Sequence, residues 1–314
     1  MNNLTNQAKI YLEMVTQGPP IYTMEPKTVR EFSALAPKPD IRLEELSKIE
    51  DRLISVGDAD EINIRIYTPE GEGPFPIFVY YHGGGWVLGT LDNADPSCRL
   101  IANRTNSIVV SVDYRLAPEY KFPIPLNDSY EALKWVNENA ESLNGSASKI
   151  IVGGDSAGGN LAAAVSMLAR DQQGPEISAQ VLLYPVTSLE YNTSSYELFK
   201  EGYGLDKQLM IWFGNHYINN DFDRKNPYIA PLSANDLSNL PPAIIITAEN
   251  DVLRDEGMAY AQRLKDAGVT VEVFCEEGLV HGYVSFMEIF AEQIEKSVSK
   301  VAQFLSENLH TLSK

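Results

Sequence analysis

The chain has little of several things that would each announce a function. Two cysteines, Cys98 and Cys275, in 314 residues are too few for a disulfide framework and form no metal-binding motif, so two free thiols in a reducing compartment are expected. Basic residues are scarce: 25 Lys and Arg stand against 43 Asp and Glu, a net charge of −18, which disfavours nucleic acid and anionic membranes as partners. Long apolar runs are missing. The longest, near residues 161–169, falls well short of the roughly 20 residues a membrane span needs. The opening MNNLTNQAKIYLEMV has no basic stretch leading into an apolar core, so no secretory signal is read there. Internal repeats and low-complexity tracts are also absent. These absences point to a soluble protein, expected in the cytoplasm.

The remaining composition, 44% hydrophobic and 22% charged, is that of a globular chain able to build a core. Residues 1–47 read as a separate helical segment: Leu4, Ala8, Tyr11, Leu12 and Val15 recur at helical spacing before Gly18-Pro19-Pro20, and a second short helix is expected over 29–35. Neither helix carries motif residues, so both read as a lid or packing arm. From 48 the pattern turns to strands, with 49–56 and 62–67 as an antiparallel opening. Strands are then expected at 76–81, 107–112, 149–152, 179–184, 243–248 and 270–275. Helices are expected at 96–104, 126–139, after 156, at 255–267 and at 288–309. Apolar strands alternating with amphipathic helices imply a mostly parallel sheet covered on both faces, with sites at the carboxyl ends of the strands. Residues 188–226, rich in Tyr, Phe, Trp and Asn, are too long for a simple crossover and read as an insertion over the site.

One turn organises the chemistry. The run Ile150-Ile151-Val152 leads through Gly154-Asp155-Ser156-Ala157-Gly158 into an alanine-rich helix, a match to G-x-S-x-G. A serine on a tight strand-to-helix turn projects its hydroxyl into a site, and its neighbours must be small because the backbone doubles back. A phosphate loop is excluded, because Gly159-Asn160 stand where that motif needs Lys and Ser or Thr. After the strand at 76–81 comes His82-Gly83-Gly84-Gly85-Trp86. Consecutive glycines let backbone N–H groups approach a ligand, and together with the Ala157 N–H they suit a tetrahedral oxyanion.

A serine nucleophile needs a base, and the chain has four histidines: His82, His216, His281 and His310. His82 reads as a loop anchor, His216 lies within the insertion, and His310 is near the chain end. His281 follows the strand at 270–275 by a short loop, which makes it the candidate base. For the carboxylate that would orient it, Asp251 in the loop after the strand at 243–248 is favoured, with Glu249 as fallback. Asp255 and Glu256 fit a capping role in the first turn of the next helix. The order Ser156, Asp251, His281 is that of an α/β-hydrolase.

Five segments in one order, HGGGW at 82–86, DYRLAPE at 113–119, GDSAGGN at 154–160, AENDVLRDEG at 248–257 and HGY at 281–283, resemble the hormone-sensitive-lipase-like carboxylesterases. The resemblance implies an α/β-hydrolase fold, with a mostly parallel eight-stranded sheet flanked by helices. It implies a helical cap built from residues 1–47 and an insertion at about 188–226, on a catalytic domain of residues 48–314. It implies Ser156 as nucleophile, His281 as base and Asp251 as triad acid, with Gly83, Gly84 and Ala157 as oxyanion donors. It pairs Arg115 with Glu119 in a loop near the site, and it suggests a homodimer joined near the strand at 270–275. The reaction implied is hydrolysis of short- to medium-chain acyl esters through an acyl-enzyme, requiring no metal and no cofactor. Amidase or thioesterase activity on the same fold and a non-catalytic small-molecule receptor are the alternatives; a receptor would be expected to have a spoiled triad. The pocket candidates are Trp86, Tyr184, Tyr203, Trp212 and Phe213, each with ordinary core or cap packing as its other reading.

Overall fold

A computed structural model describes residues 3–35, 40–57 and 60–309, so His310 lies outside the described residues. Eight strands form one sheet: β1 (Lys48–Val56), β2 (Asp60–Thr68), β3 (Phe75–Tyr81), β4 (Ile108–Val112), β5 (Gly145–Asp155), β6 (Ala179–Leu183), β7 (Ala243–Asn250) and β8 (Val271–Val280). Their order across the sheet is β1-β2-β4-β3-β5-β6-β7-β8. β1 and β2 pair antiparallel, as do β2 and β4, while every other neighbour is parallel. The residue patterns account for this arrangement. β3, β4 and β6 are apolar runs buried along almost their whole length, which requires cover on both faces. β1 exposes alternate residues, as a strand at the rim does.

The helices are α1 (Asn6–Val15), α2 (Pro26–Leu35), α3 (Leu91–Thr105), α4 (Ile124–Asn139), α5 (Ala157–Asp171), α6 (Ser194–Leu198), α7 (Lys207–Tyr217), α8 (Arg254–Asp266) and α9 (Met287–Leu309). Side chains of α4, α5 and α8 form one core, which runs into the 188–226 segment through Tyr196, Phe213 and Tyr217. Side chains of α3, α9 and α1 form the other. Among the described residues no helix is long and apolar enough to cross a membrane. Both cysteines are free thiols, Cys98 buried and Cys275 exposed.

Two element boundaries differ from the sequence expectation for identifiable reasons. α3 begins five residues earlier than its proline suggested, because Thr90 caps it by accepting the Asn93 N–H at 3.2 Å, and the helix runs through Pro96. β8 continues to Val280, with Asn250 still in register with Val280, so His281 directly follows a strand instead of a loop. Strands β3, β5, β7 and β8 all end at one edge of the sheet, which brings four chemically loaded turns together.

Candidate active site

The serine turn is built by steric exclusion. Ser156 has φ +56° and ψ −118°, a conformation that costs an L-residue energy and persists only where its surroundings over-determine it. Its N–H donates to Leu183 O on β6 at 2.9 Å. A Cβ on Gly154 would stand 2.1 Å from Tyr81 O, and one on Gly158 would stand 1.8 Å from the same oxygen. The two glycines therefore let the turn press against the end of β3. The Ser156 side chain makes no capping bond to α5 and is turned instead toward His281.

His281 and Asp251 complete a hydrogen-bonded chain. His281 Nε2 lies 2.9 Å from Ser156 Oγ, and His281 Nδ1 lies 2.7 Å from Asp251 Oδ2. Asp251 is 1% exposed, and its other oxygen accepts the Leu253 N–H at 2.9 Å. Glu249, the fallback acid, is used elsewhere: its Oε2 accepts the Gly278 N–H at 2.7 Å and so ties the end of β7 to β8. His216 sits on α7 with its ring against Trp212, where burial lowers its pKa. His82 is buried, stacks on Tyr114 with ring centroids 4.3 Å apart, and bonds Gly83 O through Nδ1 at 2.7 Å, as an anchor would.

The glycine loop corrects one expectation. The Gly83 N–H donates to Asp155 Oδ1 at 2.8 Å, and the Tyr80 hydroxyl donates to the same oxygen at 2.7 Å. The Gly83 amide is therefore committed and is not an available oxyanion donor. Among the described residues, no acceptor takes the N–H of Gly84, Gly85 or Ala157. Gly84 and Gly85 have φ of +108° and +62°, so the loop turns in a way that side-chain-bearing residues resist. The signal in the sequence was Asp155 itself, the acidic residue just before the serine, which serves as the peg for the glycine loop.

Of the five pocket candidates, two are fully buried. Trp86 is fully buried, with its ring stacked on Tyr217 of α7 at 4.4 Å and an interplanar angle of 4°. Tyr184 is fully buried with its ring 4.7 Å from His281, edge to face, and its hydroxyl accepts the Val284 N–H at 3.3 Å. Phe213 lies over the glycine loop, its ring 2.1 Å from where a Gly85 Cβ would be. Trp212 packs beside it at 5.2 Å, and Tyr203 packs on Phe199 at 5.0 Å. A pocket of about 210 Å³, lined by Gly83, Gly84, Asn93, Ser97, Ser285 and Phe286 among others, adjoins the loop. A larger open cleft of about 440 Å³ lies beside Arg30, Asp113 and Arg115, and neither pocket is lined by Ser156, Asp251 or His281.

The residues that fasten the covering segments were assigned otherwise from sequence. Arg115 pairs with Asp128 at 2.6 Å and with Asp60 at 2.5 Å, not with Glu119. Glu119 instead pairs with Arg30 of α2 at 2.9 Å, and Arg30 also donates to Val87 O and Ala117 O. Asp255 and Glu256 are not helix caps. Asp255 accepts the Ser195 N–H at 2.8 Å, and Glu256 Oε1 accepts those of Thr187 and Ser188 at 2.7 and 3.0 Å. Both thus hold the root of the 188–226 segment. Glu256 is 0% exposed, and burial pushes its pKa up to about 8.

Known proteins share this fold. Residues 78–285 match the α/β-hydrolase fold family. Carboxylesterase NlhH of Mycobacterium tuberculosis is 45% identical over 244 residues, 76% of this chain and 76% of its own. The chain is a hormone-sensitive-lipase-like carboxylesterase. An arylesterase of Saccharolobus solfataricus is 44% identical to this esterase over 225 residues, 71% of this chain and 73% of its own. The structure of a fungal esterase from Rhizomucor miehei superposes on it with a TM-score of 0.94 at 33% identity, over 100% of this chain and 99% of that one.

Proposed function

We propose that this esterase hydrolyses short-chain acyl esters, with Ser156 as nucleophile, His281 as general base and then acid, and Asp251 as the carboxylate that orients His281. The observation that carries the reading is the continuous chain Ser156 Oγ–His281 Nε2, 2.9 Å, and His281 Nδ1–Asp251 Oδ2, 2.7 Å. His281 Nε2 takes the hydroxyl proton as Ser156 Oγ attacks the ester carbonyl, and the carbonyl oxygen becomes the oxyanion. The free amides of Gly84, Gly85 and Ala157 are the donors for it, each worth roughly 3 kcal/mol in the transition state. His281 returns the proton to the leaving alcohol, then activates the water that cleaves the acyl-enzyme.

Residues 1–47 and 188–226 act as the cap over this site. The half-exposed edge of β8 joins two copies into a homodimer, since an unpaired strand edge favours pairing. The test is a chain-length series of p-nitrophenyl esters from acetate to decanoate, on wild type beside Ser156→Ala, with matched amide and thioester substrates. Activity should peak at four to six carbons and vanish in the variant, and a peak at ten carbons or a preference for amides would overturn the reading. Sedimentation of the free enzyme as a monomer would remove the dimer.

A further inference from the structure

His281 stands where the chain leaves β8, with a glycine near it on either side. Gly278 has φ +69° and Gly282 has φ +79°, both in the left-handed region that glycine adopts freely. Pairing of Val280 with Asn250 fixes the strand up to His281, and beyond it, where Gly282 leaves the backbone free to turn, neighbouring groups help fix where the imidazole sits. Part of that restraint comes from Tyr184 and from the Tyr283 hydroxyl, which bonds Ser297 Oγ at 2.7 Å. Asp251 on the ring and Glu249 on the Gly278 N–H add to it, and so does α1, a helix nearly 270 residues away in sequence and without a motif residue.

α1 meets the loop on both sides of His281. On the near side the Thr5 N–H, at the helix cap, donates to Gly278 O at 3.0 Å. The fit there is close: a Cβ on Gly278 would stand 2.5 Å from Asn3 O and 3.0 Å from Thr5 Cγ2. On the far side lies Tyr11, itself 8% exposed. Its hydroxyl is 3.9 Å from the place a Gly282 Cβ would take, and its ring packs on Phe286 at 4.8 Å and Phe290 at 5.8 Å. The same ring touches the 188–226 segment, with Cε1 3.0 Å from where a Gly204 Cβ would be. Burial, and after it the Asp251 carboxylate, pushes the Tyr11 pKa up to about 12. The hydroxyl therefore stays neutral and acts by shape and packing.

We propose that Tyr11 is a positioning residue for His281: with Thr5 it brackets the loop that bears the base and couples that loop to the 202–204 turn. The inference rests on His281 being the base. Displacement of a reacting group by about 1 Å can cost a hundredfold in rate, so removing the bracket should act on turnover more than on binding.

The experiment compares wild type with Tyr11→Phe, Tyr11→Leu, Tyr11→Ala and His281→Ala. For each, kcat and KM for p-nitrophenyl butyrate are measured from pH 5 to 9, together with the thermal midpoint. Tyr11→Ala and Tyr11→Leu should lower kcat tenfold or more with KM within threefold. The acid limb of kcat/KM should move to lower pH, because a displaced imidazolium is held less well by Asp251. Tyr11→Phe, which keeps the ring, should return kcat to within twofold of wild type. If Tyr11→Ala melts below the assay temperature, Tyr11→Leu, which keeps most of the bulk, carries the test. A Tyr11→Leu enzyme within twofold of wild type would overturn the proposal, as would an unmoved acid limb, or a Tyr11→Phe loss as large as that of Tyr11→Leu. Activity surviving in His281→Ala would sink the base assignment itself; an inert His281→Ala beside an unaltered Tyr11→Leu would sink only the role of Tyr11.

Discussion

The site has two halves that are made differently. The floor consists of the turns after β3, β5, β7 and β8, held on parallel strands whose register brings Tyr81 level with Gly154 and Val280 level with Asn250. The cover consists of α1, α2 and the 188–226 segment, held by long-range contacts: Arg30 on Val87 and Ala117, Tyr11 on the His281 loop, Phe213 on Gly85 and Glu256 on Thr187 and Ser188. The glycines of the floor tolerate no side chain, because a Cβ on Gly154 or Gly158 would collide with backbone. The cover is held by side chains, several of which can be exchanged for others of similar size. Disruption of the floor is therefore expected to cost turnover and stability together, and disruption of the cover to cost less of either.

Changes that remove the chemistry should have the largest effect. Ser156→Ala or His281→Ala should lower kcat by about 10⁴ to 10⁶-fold while leaving the fold intact, which circular dichroism and the thermal midpoint would check. If either variant keeps a tenth of wild-type turnover, the floor is not where the chemistry lies. Next comes Gly158→Ala. Its Cβ would overlap Tyr81 O at 1.8 Å, backbone on both sides, so neither partner can yield. Loss of about 4 kcal/mol or more of unfolding free energy is expected, read by denaturant titration.

Asp155 tests the peg that joins elbow to glycine loop. Asp155→Ala leaves the buried Tyr80 hydroxyl and the Gly83 amide without their shared acceptor, at roughly 1–3 kcal/mol for each group left unsatisfied. The expected result is a fall in kcat of ten- to a hundredfold with KM little changed, since the loop that presents Gly84 and Gly85 is released. An unaltered kcat would mean that the loop holds its shape without Asp155.

These contrasts also explain what the sequence could reveal. The floor was legible because backbone crowding leaves a trace in residue type: Gly154, Gly158 and the three glycines after His82 stand where a Cβ does not fit. The order of Ser156, Asp251 and His281 follows from strand ends alone. Which amide of the glycine run is free was not legible, because it depends on a bond between Gly83 and Asp155, 72 residues apart. The partner of Glu119 was misassigned for the same reason, since Arg30 lies 89 residues away in sequence. Asp255 and Glu256 looked like caps because a carboxylate in the first turn of a helix reads the same whether it faces the helix end or a neighbouring segment.

On the cover, Arg30→Ala should be milder than any change to the floor. The guanidinium donates to two backbone carbonyls and to Glu119, but it is partly open to water, which screens the pair with Glu119. A loss of about 1–2 kcal/mol in unfolding free energy is expected, with kcat reduced less than fivefold. A larger fall in kcat than in stability would show that α2 acts on the glycine loop directly.

Glu256→Gln sharpens the comparison with the smallest effect, because it alters charge without altering shape. Burial raises the folded-state pKa of Glu256 to about 8, well above the ordinary carboxylate value, so the folded enzyme holds a proton there that the unfolded chain has lost. The unfolded state then binds fewer protons, and stability falls as pH rises through the window between the two values. With a folded value near 8, the part lost between pH 7 and 9 is on the order of 1 kcal/mol. Glutamine keeps an acceptor for the Thr187 and Ser188 amides and has nothing to ionise. Its thermal midpoint, measured against wild type at pH 6, 7, 8 and 9, should therefore gain on wild type by about 2–4 °C across the upper two units, while kcat at pH 7 stays within twofold. A constant difference between the two proteins from pH 6 to 9 would mean that Glu256 is already ionised in the fold and that the root of the cover is held by a charge.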